Sequence, residues 1–434
     1  MSRYLVVLLY NLALLAALPF FLPVSAGRHL RRNGGLRGLR ARLGLAAPAR
    51  RPRISPGAVW IHLVSYGEVV TAAPFVETLL RESGRPAAIW TTTPTGYRAA
   101  RKAFPELPVN YLPIDLPLNW PFLFGRYRPS VFISLEALFW PNLLIFLDLF
   151  RVPAVLINGR LSPRSFRRYL KARPLLAPLL KRVSALGMRS QPEADWIVRL
   201  GAPAGRVRAT GSLKYDLVIE RAARIDPESV RREYGLPGNC LVFGSIHPEE
   251  EALALSVSRR LLEEFPGLKI ILAPRHLERS RLVELLAESG QAFQAVSSFQ
   301  TPLAAPFLLL DRMGCLNRAY AAGRAAFVGG SLTIFGDGGH NLVEPAAFGR
   351  PVAFGPHAWN FREESGLLLD CGGGVLVRSE TELHQFFRRT LLDPAWADAA
   401  GNRALEAVRK RTGGVERSVA IVRDLLTNGI NEAA

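Results

Sequence analysis

From residue 55 onward the chain alternates short, uninterrupted apolar runs with longer stretches in which apolar positions recur every three or four residues. This is the pattern of parallel strands buried on both faces and joined by covering helices. The runs predict strands at 59–64, 87–92, 109–113, 131–135, 154–158 and 184–188. After a polar segment at 218–232, a second series follows at 241–245, 268–273, 307–310, 325–328 and 351–354. Two doubly wound α/β units facing a cleft are therefore expected, over 55–217 and 218–434, with the last helix able to pack back on the first unit. The length of 434 residues agrees with two or three folding units and excludes one small module.

The N-terminus follows a different rule. Leu5–Val24 runs 20 residues without a charge, which as a helix is about 30 Å and matches the hydrocarbon thickness of a bilayer. A cleaved signal peptide is the rival reading, because Val24-Ser25-Ala26 is a tolerable cleavage site. Nine arginines and no acid between Arg28 and Arg53 oppose translocation and suit anionic headgroups. The expectation is thus a membrane anchor over 1–26 and a basic juxtamembrane linker over 27–54 on the cytoplasmic face. Pro19 and Pro23 leave open whether the segment spans or lies in the interface.

Composition sharpens this picture where charge is concerned. The net charge of +19 is concentrated in that first basic stretch and in a second, Arg151–Arg189, which holds ten basic residues and no acid. Two local surfaces therefore meet anionic partners, and no nucleic-acid-binding motif is present. With 49% hydrophobic and 21% charged residues the chain is not disordered. Three widely spaced cysteines, Cys240, Cys315 and Cys371, fit neither a disulfide framework nor a metal site, and a reducing compartment is the simplest reading.

Candidate chemistry lies in the polar turns that follow predicted strands, because open parallel sheets bind ligands at their C-terminal edges. The first such turn is Ser65-Tyr66-Gly67-Glu68. Glu68 either complements a helix N-terminus or, facing the cleft, takes a proton from an acceptor hydroxyl. Thr93-Pro94-Thr95-Gly96 reads as a helix cap that could also bond a sugar. Glu136 stands where an apolar run stops, shortly before Trp140, which can pack or stack on a sugar. Asn158-Gly159-Arg160 opens the second basic stretch.

In the second half, the turn from Ser245 through His247 to Glu251 could receive an anion, although its glutamates oppose one placed too close. Arg275 and His276 end the next strand as potential cations. The densest constellation is Gly329-Gly330-Ser331, then Gly338-Gly339-His340-Asn341, then Glu344. Glycine amides and a helix N-terminus can approach an anion there, while Glu344, three residues beyond Asn341, suits a ribose diol. This is neither a Walker A loop nor a dinucleotide fingerprint.

Taken in their shared order, these segments resemble the 3-deoxy-D-manno-octulosonic acid (Kdo) transferases of lipopolysaccharide assembly. The resemblance includes Val64-Ser65-Tyr66-Gly67-Glu68, Thr93-Pro94-Thr95-Gly96, Trp140-Pro141-Asn142, Asn158-Gly159-Arg160-Leu161-Ser162 and Gly211-Ser212-Leu213-Lys214-Tyr215-Asp216. It continues through Pro274-Arg275-His276, the glycine constellation and Phe354-Gly355-Pro356-His357. What it implies is a GT-B glycosyltransferase of two Rossmann-like domains. Such an enzyme moves Kdo from CMP-Kdo to a phosphorylated lipid A precursor, with inversion, at the cell inner membrane, and needs no metal or other cofactor.

On this resemblance Glu68 is the general base, with Glu136 beside it in the catalytic set. Ser65, Gly67, Arg160, Lys214, His247, Arg275, His276, Gly329, Gly330, Ser331, Gly339, His340, Asn341 and Glu344 contact substrate or donor. Expected partners are CMP-Kdo, the lipid acceptor and anionic inner-membrane lipids, and no nucleic acid. The chain departs from the family at Ala137 and Leu138, where a Glu-Thr-Glu run is usual, and at Ile246 and Pro248. Alternatives are another sugar-nucleotide enzyme of the same fold, such as a lipid A disaccharide synthase or a nucleotide-sugar epimerase, or a non-catalytic, membrane-associated nucleotide-sugar-binding protein.

Overall fold

Apolar runs of three to six residues become the strands of two all-parallel, seven-stranded sheets. The computed structural model describes residues 3–31, 35–44, 54–137, 140–300, 302–332 and 338–431. By their internal contacts they form two units, Met1–Leu217 with Thr412–Ala434, and Val218–Arg411.

The first sheet contains β1 (Val59–Leu63), β2 (Ala87–Thr91), β3 (Val109–Tyr111), β4 (Val131–Leu135), β5 (Ala154–Gly159), β6 (Ala185–Met188) and β7 (Val207–Ala209), in the order β3-β2-β1-β4-β5-β6-β7. The second contains β8 (Leu241–Ile246), β9 (Ile270–Pro274), β10 (Phe293–Ala295), β11 (Phe307–Leu309), β12 (Ala325–Val328), β13 (Val352–Phe354) and β14 (Gly374–Leu376), in the order β10-β11-β9-β8-β12-β13-β14. Strand order reverses between β1 and β4 in one sheet and between β8 and β12 in the other. Those reversals open the crevices where ligands bind in such sheets. Both faces are covered: Trp60, Phe132 and Trp120 belong to one core layer of the first unit, and Phe75, Val76 and Ile133 to the other. Each fully buried Leu, Ile or Phe contributes about 1.5–3 kcal/mol.

Three strands were not expected. β7, β10 and β14 are three residues each, and all but Gly374 are exposed or partly exposed. Edge strands of that length carry no alternation to read. The polar segment 218–232 proves helical, covered by helices Leu213–Ala223 and Pro227–Tyr234. Helix Gly414–Asn431 buries Val419, Ile421 and Val422 in the same layer as Val69, Ala72 and Phe75 of helix Tyr66–Ser83.

The expected membrane anchor over 1–26 needs correction. The segment lies within helix Arg3–Arg31, which contains Pro19 and Pro23, but one face is committed to protein. The amide groups of Asn11 and Asn142 exchange hydrogen bonds of 3.0 and 2.9 Å, and the Tyr10 hydroxyl bonds Asp115. Polar groups with protein partners suit a docked helix better than one surrounded by lipid. Among the described residues no helix is long and apolar enough to cross a membrane. The expected linker contains helix Gly35–Arg42, whose last carbonyl accepts from the Ile114 N–H at 2.7 Å. Its remainder at 45–53 lies outside the described residues, as does Leu138.

Asp115 joins these pieces. Its buried carboxylate accepts from Trp120 Nε1 and from the N–H groups of Asn142 and Leu143, each within 3.0 Å. Asn142 also donates to the Asp115 carbonyl at 2.5 Å. Replacing Asn142 by Ala removes both bonds to Asn11 and the one to Asp115. We expect it to lower the unfolding free energy by about 2–3 kcal/mol, measured by urea denaturation, and unchanged stability would show that the latch contributes nothing.

Candidate active site

In the first unit, polar turns gather at the C-terminal ends of β1, β2, β4 and β5. Helix Tyr66–Ser83 begins immediately after β1 with Ser65 as N-cap, its hydroxyl accepting from the Glu68 N–H at 3.4 Å. Glu68 folds back over this turn. Its Oε2 accepts from the Val64 N–H at 2.8 Å and its Oε1 from the Ser65 hydroxyl at 3.3 Å. This resembles a capping box, with the return bond going to the residue before the N-cap. Glu68 therefore does cap the helix, and its carboxylate remains half-buried at the sheet edge.

Burial pushes the Glu68 carboxyl up to about 7; the Val64 N–H and Ser65 hydroxyl oppose the rise, and the Glu136 carboxylate adds to it. The two acids singled out in the sequence thus act on one another. Glu136 ends β4 with left-handed backbone, φ 62°, an uncommon conformation for a residue with a Cβ. The conformation is fixed by bonds to β5 and beyond: Glu136 N–H donates to the Ile157 carbonyl at 3.0 Å, and Arg160 N–H to the Glu136 carbonyl at 3.2 Å.

A buried histidine braces the same edge. His62, pushed down to about 3 by burial and so neutral, lies 3.1 Å from Ser134 Oγ through Nδ1 and 3.0 Å from Thr92 Oγ1 through Nε2. Ser134 spends its one proton on the Ala137 carbonyl at 2.6 Å. It must then accept from His62, which places the ring proton on Nδ1 and leaves Nε2 to accept from Thr92. β1, β2 and β4 are tied together just behind the acids.

Thr93 caps the helix Pro94–Ala103, accepting from Gly96 N–H at 3.1 Å while donating to the Val64 carbonyl at 2.9 Å. A Cβ on Gly96 would lie 2.9 Å from that carbonyl, so glycine is required where the two turns meet. Gly67 is exposed, and a Cβ there would meet only Ser65 Oγ, at 3.9 Å. The Arg160 side chain is exposed, and Lys214 begins a helix whose Leu213 N–H is held by Asn158 Oδ1 at 3.2 Å. Arg164, Arg167, Arg168, Lys171 and Arg173 present an exposed basic surface on this unit.

The second unit uses its equivalent turn differently. After β8, Glu250 is fully buried, and its carboxylate accepts from four backbone N–H groups: His247 at 3.1 Å, Gly330 at 2.6 Å, Ser331 at 3.2 Å and Leu332 at 3.1 Å. The amides of Gly330 and Ser331, expected to receive a phosphate, are thus occupied by a side chain 80 residues away in sequence. Gly329 N–H donates to the Gly244 carbonyl and Gly339 N–H to the Gly330 carbonyl, both at 2.9 Å. The Ser331 hydroxyl is also spent, between the Val328 carbonyl at 2.7 Å and the Gly355 N–H at 2.9 Å. These residues build the loop.

Imidazoles cluster beside the loop. His247 and His340 are stacked with Nε2 atoms 2.8 Å apart, and His276 meets His247 edge-on with ring centroids 5.4 Å apart. A Cβ on Gly330, which has φ +68°, would lie 2.9 Å from both Nε2 atoms; only glycine admits the pair. Asn341 donates to Glu344 Oε1 at 3.0 Å, and its own buried Oδ1 has no hydrogen-bond partner. Glu344 sits in the first turn of the short helix Val343–Ala346. Arg275 lines a pocket of about 80 Å³ with Ser245, Arg312, Met313 and Gly314. The last three were missed in the sequence: they belong to no motif, although their place after the predicted strand 307–310 was a signal that could have found them.

Two doubly wound parallel sheets with polar turns at their C-terminal edges define an α/β protein of the GT-B kind. UDP-GlcNAc 2-epimerase from Neisseria meningitidis shares this fold with a TM-score of 0.58 at 12% identity, over 86% of this chain and all of that one. Sequence comparison is narrower. The family profile described as 3-deoxy-D-manno-octulosonic-acid transferase (kdotransferase) matches residues 37–217. A 3-deoxy-D-manno-octulosonic acid transferase of Haemophilus influenzae is 31% identical over 380 residues, 86% of this chain and 88% of the relative. One of Aquifex aeolicus is 31% identical over 327 residues, 75% and 84% of the two chains. The chain belongs to the Kdo transferase family and is a glycosyltransferase.

Glu250→Ala would leave four backbone donors without their acceptor. We expect a loss of about 3–5 kcal/mol in unfolding free energy, with Glu250→Gln losing less. Wild-type melting of the alanine variant would show that the loop holds itself.

Proposed function

We propose that this enzyme transfers Kdo from CMP-Kdo to a phosphorylated lipid A precursor in lipopolysaccharide assembly, at the cytoplasmic face of the inner membrane. The observation that carries the reading is the half-buried Glu68 carboxyl, raised to about 7 beside Glu136. A base of that strength is matched to taking a proton from a sugar hydroxyl near neutral pH. As the proton passes to Glu68, the acceptor oxygen bonds C2 of Kdo. The bond from C2 to the phosphate oxygen breaks, and CMP leaves with the electron pair. One displacement inverts the centre.

The departing phosphate calls for positive charge placed in advance. Arg275, His276 and the His247–His340 pair are assigned to it, and the pocket beside Arg275 to the base. The unpartnered Asn341 Oδ1 and the Glu344 carboxylate are assigned to ribose or sugar hydroxyls. Arg160, Lys214 and the exposed arginines of helix Pro163–Lys171 are suited to the phosphates of the acceptor and of anionic lipids.

Glu68→Gln keeps an acceptor for the Val64 N–H, so the fold and CMP affinity should persist while transfer falls on the order of 10²–10⁴-fold. In the wild type the base is competent only when deprotonated. kcat/KM should therefore rise with pH to a plateau above about 7, and below that value fall about tenfold per pH unit. Mass spectrometry of products from CMP-Kdo and a tetra-acylated, diphosphorylated glucosamine disaccharide reads transfer directly. Full activity in the glutamine variant would reduce Glu68 to a helix cap.

A further inference from the structure

Beside these acids the first unit encloses a second feature that the chemistry above does not use. A cavity of about 230 Å³ opens between helix Arg3–Arg31 and the segments following β2, β3 and β4. Leu14, Ala17, Leu18, Leu112, Ile114 and Trp140 give it mostly apolar walls. Its polar edges are of two kinds. Asp115 and Thr92 are committed, to Trp120 and neighbouring amides and to His62 respectively. Arg42 keeps a donor to spare: its Nε is buried without a hydrogen-bond partner, and burial lowers the guanidinium below its ordinary value, with Tyr111 opposing. An apolar chamber with a cation in its wall that keeps an unsatisfied donor is complementary to a chain that carries an anionic group.

The helix that roofs the cavity reinforces this. Tyr10, Leu14, Ala17 and Leu18 recur at helical spacing on the face that lines it. Leu8, Leu12 and Leu15, on the opposite face, are exposed. Trp140 connects cavity and catalytic edge, since its ring meets that of His62 edge-on at 6.2 Å, and His62 braces the strand ends beside Glu68 and Glu136.

We infer that this cavity is an acyl-chain subsite, seating one hydrocarbon chain of the phosphorylated acceptor with an acceptor phosphate on Arg42. The inference rests on the lipid acceptor proposed above. It makes acylation a determinant of substrate choice, because the hydrocarbon has an apolar site near the base. Trp140 is then a chain contact and not a sugar platform.

Two experiments on the full chain separate this inference from the parent reading. In the first, 11-bromoundecyl phosphate is titrated against tryptophan fluorescence. Saturable quenching is expected, lost in Trp140→Phe, reversed by the tetra-acylated disaccharide and not by its fully deacylated form. An uncharged probe, 11-bromoundecanol, should bind about tenfold more weakly, and Arg42→Gln should erase that difference. Quenching that survives Trp140→Phe unchanged would overturn the inference, even if Kdo transfer is confirmed.

The second experiment compares KM for acylated and deacylated acceptors. Wild type should prefer the acylated one by at least about tenfold, and Ala17→Trp, which fills the cavity, should remove the preference while leaving kcat/KM for the deacylated acceptor within about twofold. Leu18→Phe is the milder filler should Ala17→Trp fail to fold. A folded filler variant that keeps the wild-type preference overturns the inference. Absence of transfer by the wild type would count against the acceptor reading, and the quenching titration would still decide whether the cavity takes a chain.

Discussion

The bond from the Val64 N–H to Glu68 Oε2, at 2.8 Å, is the constraint on which the placement and proposed role of the Glu68 carboxyl depend. It turns the side chain of a helix-capping glutamate back over the end of β1 and holds it half-buried at the sheet edge. Two opposed influences then act on one carboxyl group. Hydrogen-bond donors favour its charged form, while burial and the neighbouring Glu136 favour the neutral one, and burial wins. A carboxylate free in water would be too weak a base for a sugar hydroxyl. A fully buried and unpaired one would stay protonated.

Glu250 occupies the corresponding place in the second unit, in the first turn after the unit's first strand. The same residue type meets the opposite fate there. Four backbone N–H groups converge on it and no solvent reaches it, so it serves as the internal anion of the glycine loop. The amides of Gly330, Ser331 and Leu332 are therefore occupied, and beside them lie the stacked histidines that Gly330 admits and the Asn341–Glu344 pair.

The central strands were legible because burial on both faces leaves continuous apolar runs. β7, β10 and β14 were not, since three-residue edge strands lack any period. Glu68 was legible as a candidate through its turn, but its coupling to Glu136 arises only when β1 and β4 become neighbours. Nothing near Glu250 in the chain announces that it will bind amides 80 residues away. Asp115, the hub that joins Trp120, Asn142 and Tyr10, lies in an unremarkable loop. The apolar N-terminal run read as a membrane span because hydropathy cannot show that Tyr10 and Asn11 have partners in Asp115 and Asn142.

The account's central claim is that Glu68 is a base tuned by burial and by Glu136. Titrating its side-chain carboxyl by carbon-13 NMR, with glutamate labelling and Glu68→Gln to assign the signal, tests that claim most directly. The account predicts a midpoint near 7 in the wild type and a lower one in Glu136→Gln. A midpoint near 4.5, indifferent to Glu136, would contradict it.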